Sequence, residues 1–177
     1  MISNIGFFLL IMALASNVTN ILSYILKNRI SNERIFYYSI HINFFSTIIS
    51  FILLVYCYAI SDFSNFNVFE NSHSSKPLFY KIVGTWSNHE GSMLLWITIM
   101  SSYLFIFSFN TSLSIITKKI TIVFQSALIF GFNCFLITTS NPFIINKLLV
   151  DEGLGLNPIL QDPLLAIHPP MLYFGYV

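Results

Sequence analysis

The chain has 177 residues, of which 55% are hydrophobic and only 8% charged, with a formal net charge of +1. Soluble domains carry about 25% charged residues, so this composition places the chain in a membrane, and the near-zero net charge excludes a nucleic-acid partner. The two cysteines, Cys57 and Cys134, lie in apolar runs without a CxxC or CxxCH spacing, which excludes a thiol oxidoreductase of that type and a haem-attachment sequence; both read as small buried hydrophobes.

Four apolar stretches, at about 5–26, 40–60, 93–109 and 120–139, are each close to the roughly 20 residues that cross a bilayer as a helix. The first lacks a basic flank and a small-residue cleavage site, so it reads as a retained span rather than a signal peptide. The third is short, and its helix is expected to begin earlier, inside the polar block Asn88-His-Glu-Gly-Ser92. A fifth apolar segment starts near Leu164 and runs to Val177; a helix of that length reaches about 21 Å, short of the roughly 30 Å hydrocarbon core. The expected fold class is therefore an all-α integral membrane protein, with four full transmembrane helices plus a fifth begun at the C-terminus. Residues 1–177 form a single membrane domain in this reading, either completed by another chain or truncated.

Charge sets the expected orientation. The connections after spans one and three carry Lys27, Arg29, Arg34, Lys118 and Lys119, whereas those after spans two and four carry Lys76, Lys81 and Lys147 among six acids. The positive-inside rule puts the first set in the cytoplasm or matrix. The N-terminus and the two polar motif loops then face the periplasm or intermembrane space.

Those loops hold the chemistry-bearing residues. The second begins at Gly153-Leu-Gly-Leu-Asn-Pro-Ile-Leu-Gln-Asp-Pro163, rich in turn formers, and Asp162 followed by Pro163 fits an N-cap and first helical position. His168 follows, directly before Pro169 and Pro170. Proline disfavours helical geometry in the residue before it, so His168 is expected at the start of the apolar helix. A polar group at that depth is a functional candidate by default, and haem iron is one partner for an imidazole there; a hydrogen bond to backbone is the other reading. The first loop holds Trp86, Asn88, His89, Glu90, Gly91 and Ser92. Glu90 and Ser92 suit a helix N-terminus. His89 and Glu90 read equally as part of a substrate-facing surface. His73 lies in a polar loop and reads as solvated, and His41 sits across the membrane from His168. No GxSxG, HExxH or P-loop pattern occurs.

Two of these blocks carry a family resemblance. Gly153 to Val177 resembles the GLNPLLQDPxLAIHPPMLYxGYVG block of CcmF, the haem lyase subunit family of the cytochrome c maturation system, and Trp86 to Trp96 resembles its WxNHEGSMLLW block. The resemblance implies that His168 is an axial ligand to the iron of a membrane haem b whose second ligand comes from another chain or a region missing here. It implies a cofactor-binding surface to which Gln161, Pro169, Pro170 and Tyr173, with Trp86, His89 and Glu90, are assigned. Tyr173 reads also as an ordinary interfacial tyrosine and Gln161 as a hydrogen-bonding residue near the haem. The family's tryptophan-rich WWD segment is absent, so no catalytic residue is expected in this chain and it is not expected to act alone.

The function implied is that of a haem lyase subunit, helping to hold a haem b and to position haem for covalent attachment to apocytochrome c. Implied partners are the remaining CcmF fragment with the WWD segment, the haem chaperone CcmE, a CcmH-type thiol subunit, apocytochrome c and the lipid bilayer. A non-catalytic structural subunit and a haem-relay protein are the alternatives. The Phe, Ile and Asn bias suggests a mitochondrial inner membrane, with a bacterial inner membrane as the alternative.

Overall fold

A computed structural model describes residues 1–26, 33–147 and 150–177. Lys27 and Arg29, part of the charge argument above, lie outside the described residues. The described residues form seven α-helices: α1 Ile2–Ile25, α2 Glu33–Ala59, α3 Phe66–Asn71, α4 Leu78–Gly84, α5 His89–Ser108, α6 Ile115–Thr139 and α7 Pro163–Tyr176, with a short 3-10 helix at Pro158–Gln161. Four of them, α1, α2, α5 and α6, are long and apolar enough to cross a membrane. As expected, α5 starts within the polar block, at His89. The last helix, α7, has 14 residues and is not among those four.

The four long helices form a ring in which α1 packs on α2, α2 on α5, α5 on α6 and α6 back on α1. What faces inward separates this bundle from a water-soluble one. On α1 the buried positions are Ser3, Gly6, Leu10, Ala13, Ser16, Asn17 and Asn20, while Phe8, Ile11 and Leu22 are exposed. On α6 they are Ile122, Ser126, Ile129, Asn133 and Leu136, while Ile116, Phe124 and Phe135 are exposed. Large apolar side chains lose nothing by facing hydrocarbon, whereas small ones let backbones approach and polar ones find partners only inside. Accordingly, Asn17 Nδ2 donates to Asn43 Oδ1 (3.1 Å), Asn43 Nδ2 donates to Ser101 Oγ (3.2 Å), and Asn20 Nδ2 donates to Ser126 Oγ (3.4 Å), linking all four helices across their middle.

The two ends of the bundle differ. At one, Lys119 pairs with Glu33 at 2.6 Å, Lys118 lies over the Tyr37 ring, and His41 packs edge-on against Phe105 and Phe109. At the other, α3, α4 and the loop after α6 form a cap. Asn65 ties it together: its Oδ1 accepts from Val68 N as N-cap of α3, and its Nδ2 donates to Ser3 Oγ (3.2 Å) and Pro142 O (3.0 Å). His41 thus lies at the opposite end of the bundle from the start of the helix that carries His168. His73, expected in solvent, is half-buried in this cap with Nδ1 3.7 Å from Glu152 Oε2.

The end of α2 is closed by Ser61, the one non-glycine residue with positive φ (57°) among those described. Asp62 N reaches Cys57 O (2.9 Å) and Ser61 N reaches Tyr58 O (3.2 Å), the paired bonds of a Schellman cap, a position usually held by glycine.

Candidate functional site

The site is built where the two polar blocks meet. Asn88 is the N-cap of α5, accepting from Gly91 N at 2.7 Å, and its Nδ2 donates to Tyr58 OH and Gly84 O, each at 3.0 Å. Tyr58, fully buried, donates in turn to Asn67 Oδ1 (2.6 Å), and Asn67 Nδ2 donates to Asn88 Oδ1 (3.0 Å) and Glu90 Oε2 (3.4 Å). Glu90 is therefore held at the positive end of α5, where the free amides favour an acid. The sequence did not single out Tyr58 and Asn67; both lie outside the polar block, and only the cap brings them to it.

The start of α5 is wedged against the preceding elbow. A Cβ on Gly91 would fall 1.6 Å from Thr85 O, so this contact requires glycine. Gly153 plays the same part in the other block: a Cβ there would meet Ser72 O at 2.1 Å and Phe69 O at 2.8 Å. The chain around it is zipped to the cap by Leu154 N to Phe69 O (2.8 Å) and Gly155 N to Ser72 O (3.1 Å).

Asp162 and Pro163 start α7 as expected, Asp162 Oδ1 accepting from Leu164 N (2.8 Å) and Leu165 N (3.1 Å). His168 is not at the start. It lies mid-helix, and Pro169 and Pro170 are inside α7, which corrects the expectation drawn from the pre-proline position. The aspartate cap fixes the start five residues earlier. Each proline then removes one amide donor from the helix: Pro169 leaves the Leu165 carbonyl without its partner, and Pro170 leaves that of Ala166. The second loss is made good from outside, because Trp86 Nε1 donates to Ala166 O at 2.9 Å. A single hydrogen bond thus joins the two polar blocks.

Further along, Tyr173 stacks on Trp96 of α5 (6.3 Å between centroids, 15° between planes), and Tyr103 OH donates to Phe174 O (3.2 Å). So α7 descends beside α5. Ala166 is its buried residue; Ala166, Pro169, Pro170 and Tyr173 follow helical spacing along that side. His168, 200° from Ala166 at 100° per residue, points away from α5. It is exposed and without a hydrogen-bond partner among the described residues. Its neighbours one turn up and down are Leu164, Leu165, Met171 and Leu172, all exposed.

The other sequence candidates fall elsewhere. Gln161 Nε2 donates to Leu156 O (3.2 Å) and its Oε1 accepts from Lys76 Nζ (3.1 Å), so it ties the loop to the cap. His89 is exposed and edge-on to Phe135 (5.8 Å), at the top of an apolar groove of about 450 Å³ between α5 and α6, lined by Met93, Phe132 and Phe135. Trp86 and Tyr173 form the α7 contact, with Pro169 and Pro170 half-buried.

A bundle of four apolar helices with polar residues turned inward defines a membrane protein. Residues 86–177, just over half the chain and including both polar blocks, match the family described as "Cytochrome C assembly protein"; the chain belongs to that family. It is 48% identical over 129 residues to the cytochrome c-type biogenesis protein CycK of Bradyrhizobium diazoefficiens, an alignment covering 72% of this chain and 20% of that protein. It is 41% identical over 140 residues to the cytochrome c-type biogenesis protein CcmF of Escherichia coli, covering 76% and 21%. The chain thus spans about a fifth of the length of these relatives. The fold matches the solved structure of "Cytochrome c Heme Lyase CcmF" with a TM-score of 0.82 at 20% identity, over 99% of this chain and 28% of that one.

Proposed function

We propose that this chain serves cytochrome c maturation as part of a haem lyase, presenting His168 as one axial ligand to a membrane haem b. The observation that carries the reading is the surface of α7: an imidazole without a hydrogen-bond partner among the described residues, within a stripe of exposed Leu and Met side chains. That donor set fits a haem, whose macrocycle is apolar and whose iron takes an imidazole nitrogen. The apolar stripe would cover the ring and exclude water. Bound there, the haem would supply an iron centre able to exchange single electrons.

The remaining residues build the support. Trp86 and Tyr173 fix α7 against α5, and the Asn88–Tyr58–Asn67 network fixes α5 against the cap. Joining haem to apocytochrome c thiols is chiefly a matter of holding the reacting groups together, and this chain contributes the platform rather than a catalytic side chain. The second axial ligand and the WWD segment belong to the rest of the lyase. CcmE, a CcmH-type subunit and apocytochrome c are its partners in this reading, and residues 1–177 act as one membrane domain. The membrane is the mitochondrial or bacterial inner membrane. Arg34, Lys118 and Lys119 at one end of the bundle support an orientation with the cap and His168 on the intermembrane-space or periplasmic side. The helix α7 adds a fifth apolar segment to this membrane domain, set beside α5.

The test is a reduced-minus-oxidised absorption spectrum of the purified membrane complex, wild type beside His168→Ala. A b-type signal that is lost or shifted in the variant is expected. An intact wild-type complex without haem would overturn the reading and leave a structural subunit.

A further inference from the structure

We propose that Trp86 is a positioning residue for His168: its indole N–H stands in for the amide that Pro170 lacks, and so fixes the rotation of α7 about its own axis. The proposal rests on the haem reading for its consequence but not for its mechanism. In an unbroken helix the amide at position 170 would bond the carbonyl of residue 166. Proline has no such donor, and a carbonyl left bare where water is scarce is costly. The donor that fills the gap comes from one direction only. Trp86 is half-buried two residues beyond α4, and its Nε1 lies 2.9 Å from Ala166 O.

A helix satisfied by its own amides can turn about its axis without losing a hydrogen bond. One that takes donors from its neighbours cannot, and α7 takes two, Trp86 at Ala166 O near its start and Tyr103 at Phe174 O near its end. Ala166 is fully buried, in a small cluster with Val83 and Leu156 against which Trp86 and Leu160 pack, so the same contact sets depth as well as rotation. With Ala166 held against Trp86, His168 is carried to the opposite side of α7, among Leu164, Leu165, Met171 and Leu172. The Tyr173–Trp96 stack, one to two turns below, tolerates sliding and does not fix that rotation alone. The pair of prolines is thereby more than a helix interruption: it creates the acceptor that Trp86 needs.

This makes a double-variant prediction that packing alone does not make. Trp86→Phe keeps an aromatic ring but removes the donor. Pro170→Ala restores an amide able to bond Ala166 O from within the helix. Hydrogen exchange of the amides from Leu165 to Gly175 is measured in the full chain within its purified complex, for wild type, each single variant and the pair. Trp86→Phe should speed exchange about tenfold, the equivalent of one hydrogen bond, and in the Pro170→Ala background the same change should cost less than about twofold. Equal effects of Trp86→Phe in both backgrounds would overturn the substitution of indole for amide.

The haem spectrum and midpoint potential of the same four proteins supply the second readout. A shift in Trp86→Phe that Pro170→Ala reverses is expected. Exchange coupling with an unchanged spectrum would overturn the positioning of His168 while leaving the clamp, and a wild-type complex without haem would instead sink the haem reading itself.

Discussion

Gly91 is the position where a single methyl group should do most damage. In Gly91→Ala the new Cβ would lie 1.6 Å from Thr85 O, 2.8 Å from Thr85 C and 3.2 Å from Asn88 Oδ1. The first two are backbone atoms and no rotamer change relieves them, so the start of α5 must move from the elbow by more than an ångström. That shift strains or breaks Gly91 N to Asn88 Oδ1 (2.7 Å) and Ser92 Oγ to Trp86 O (2.6 Å). Overpacking costs about 1–3 kcal/mol, and two hydrogen bonds add about 0.5–1.5 kcal/mol each. The expected loss is about 2–6 kcal/mol, a large part of an ordinary domain stability of about 5–15 kcal/mol. Equilibrium unfolding in mixed detergent micelles measures it, with Gly131→Ala as control. Gly131 has nothing within 4 Å of its would-be Cβ, and there alanine should be neutral or stabilising by up to about 1 kcal/mol on helix propensity. Because Trp86 sits in the same elbow, Gly91→Ala should also loosen α7. A Gly91→Ala protein within about 1 kcal/mol of wild type would refute the account of how the two blocks are joined, since a strained backbone contact leaves no smaller cost.

Ser61 holds the left-handed position of the α2 cap at φ 57°, so Ser61→Gly should stabilise by about 0.5–1 kcal/mol, read in the same unfolding assay; a loss of stability would show that its side chain matters more than its backbone. Asn43→Ala removes the bond from Asn17 and the bond to Ser101 in the middle of the bundle; at about 0.6–1.7 kcal/mol for each interhelical bond the cost is about 1–3 kcal/mol, whereas no change would mean the polar layer is not what joins α1, α2 and α5. At the cap, the Ser74 hydroxyl holds the Glu152 carboxyl below its usual value of 4.5 against a rise from burial, with the Ser74 amide, His73 and Lys81 adding smaller lowering effects. A depressed folded-state value means that the contribution is present above 4.5 and lost as pH falls through the folded value. Exchange at the Gly155 amide, bonded to Ser72 O nearby, should therefore lose protection in that acid range in wild type and show no such step in Glu152→Gln.

Much of the architecture was legible because membrane insertion is a matter of length and composition. The apolar runs gave the four long helices to within a few residues at most ends, although α2 starts at Glu33 and α6 at Ile115, each a turn or more before the apolar stretch. Polar helix starts extend beyond hydrocarbon, and apolar content cannot mark them. Asp162 was readable as a cap because a short acceptor before a helix has a local use. The position of His168 was misjudged for a non-local reason: the rule about residues before proline holds for an isolated chain, and Asp162 together with the indole of Trp86 outweighs it.

What the sequence by itself determined is that the chain is helical and in a membrane, where its four long helices lie, and which family its two polar blocks resemble. Only the tertiary structure decided which side of each helix faces inward, because in lipid the packed face is marked by a few small and polar residues rather than by an apolar stripe. It also decided what each polar block is for. Trp86, Gln161 and Asn67 have side chains that suit several partners equally well, and a hydrogen bond is settled by which donor stands within 3 Å of which acceptor. The fold brings Trp86 to the carbonyl that Pro170 leaves bare, across 80 residues of chain, and leaves His168 on the opposite side of that helix, facing outward.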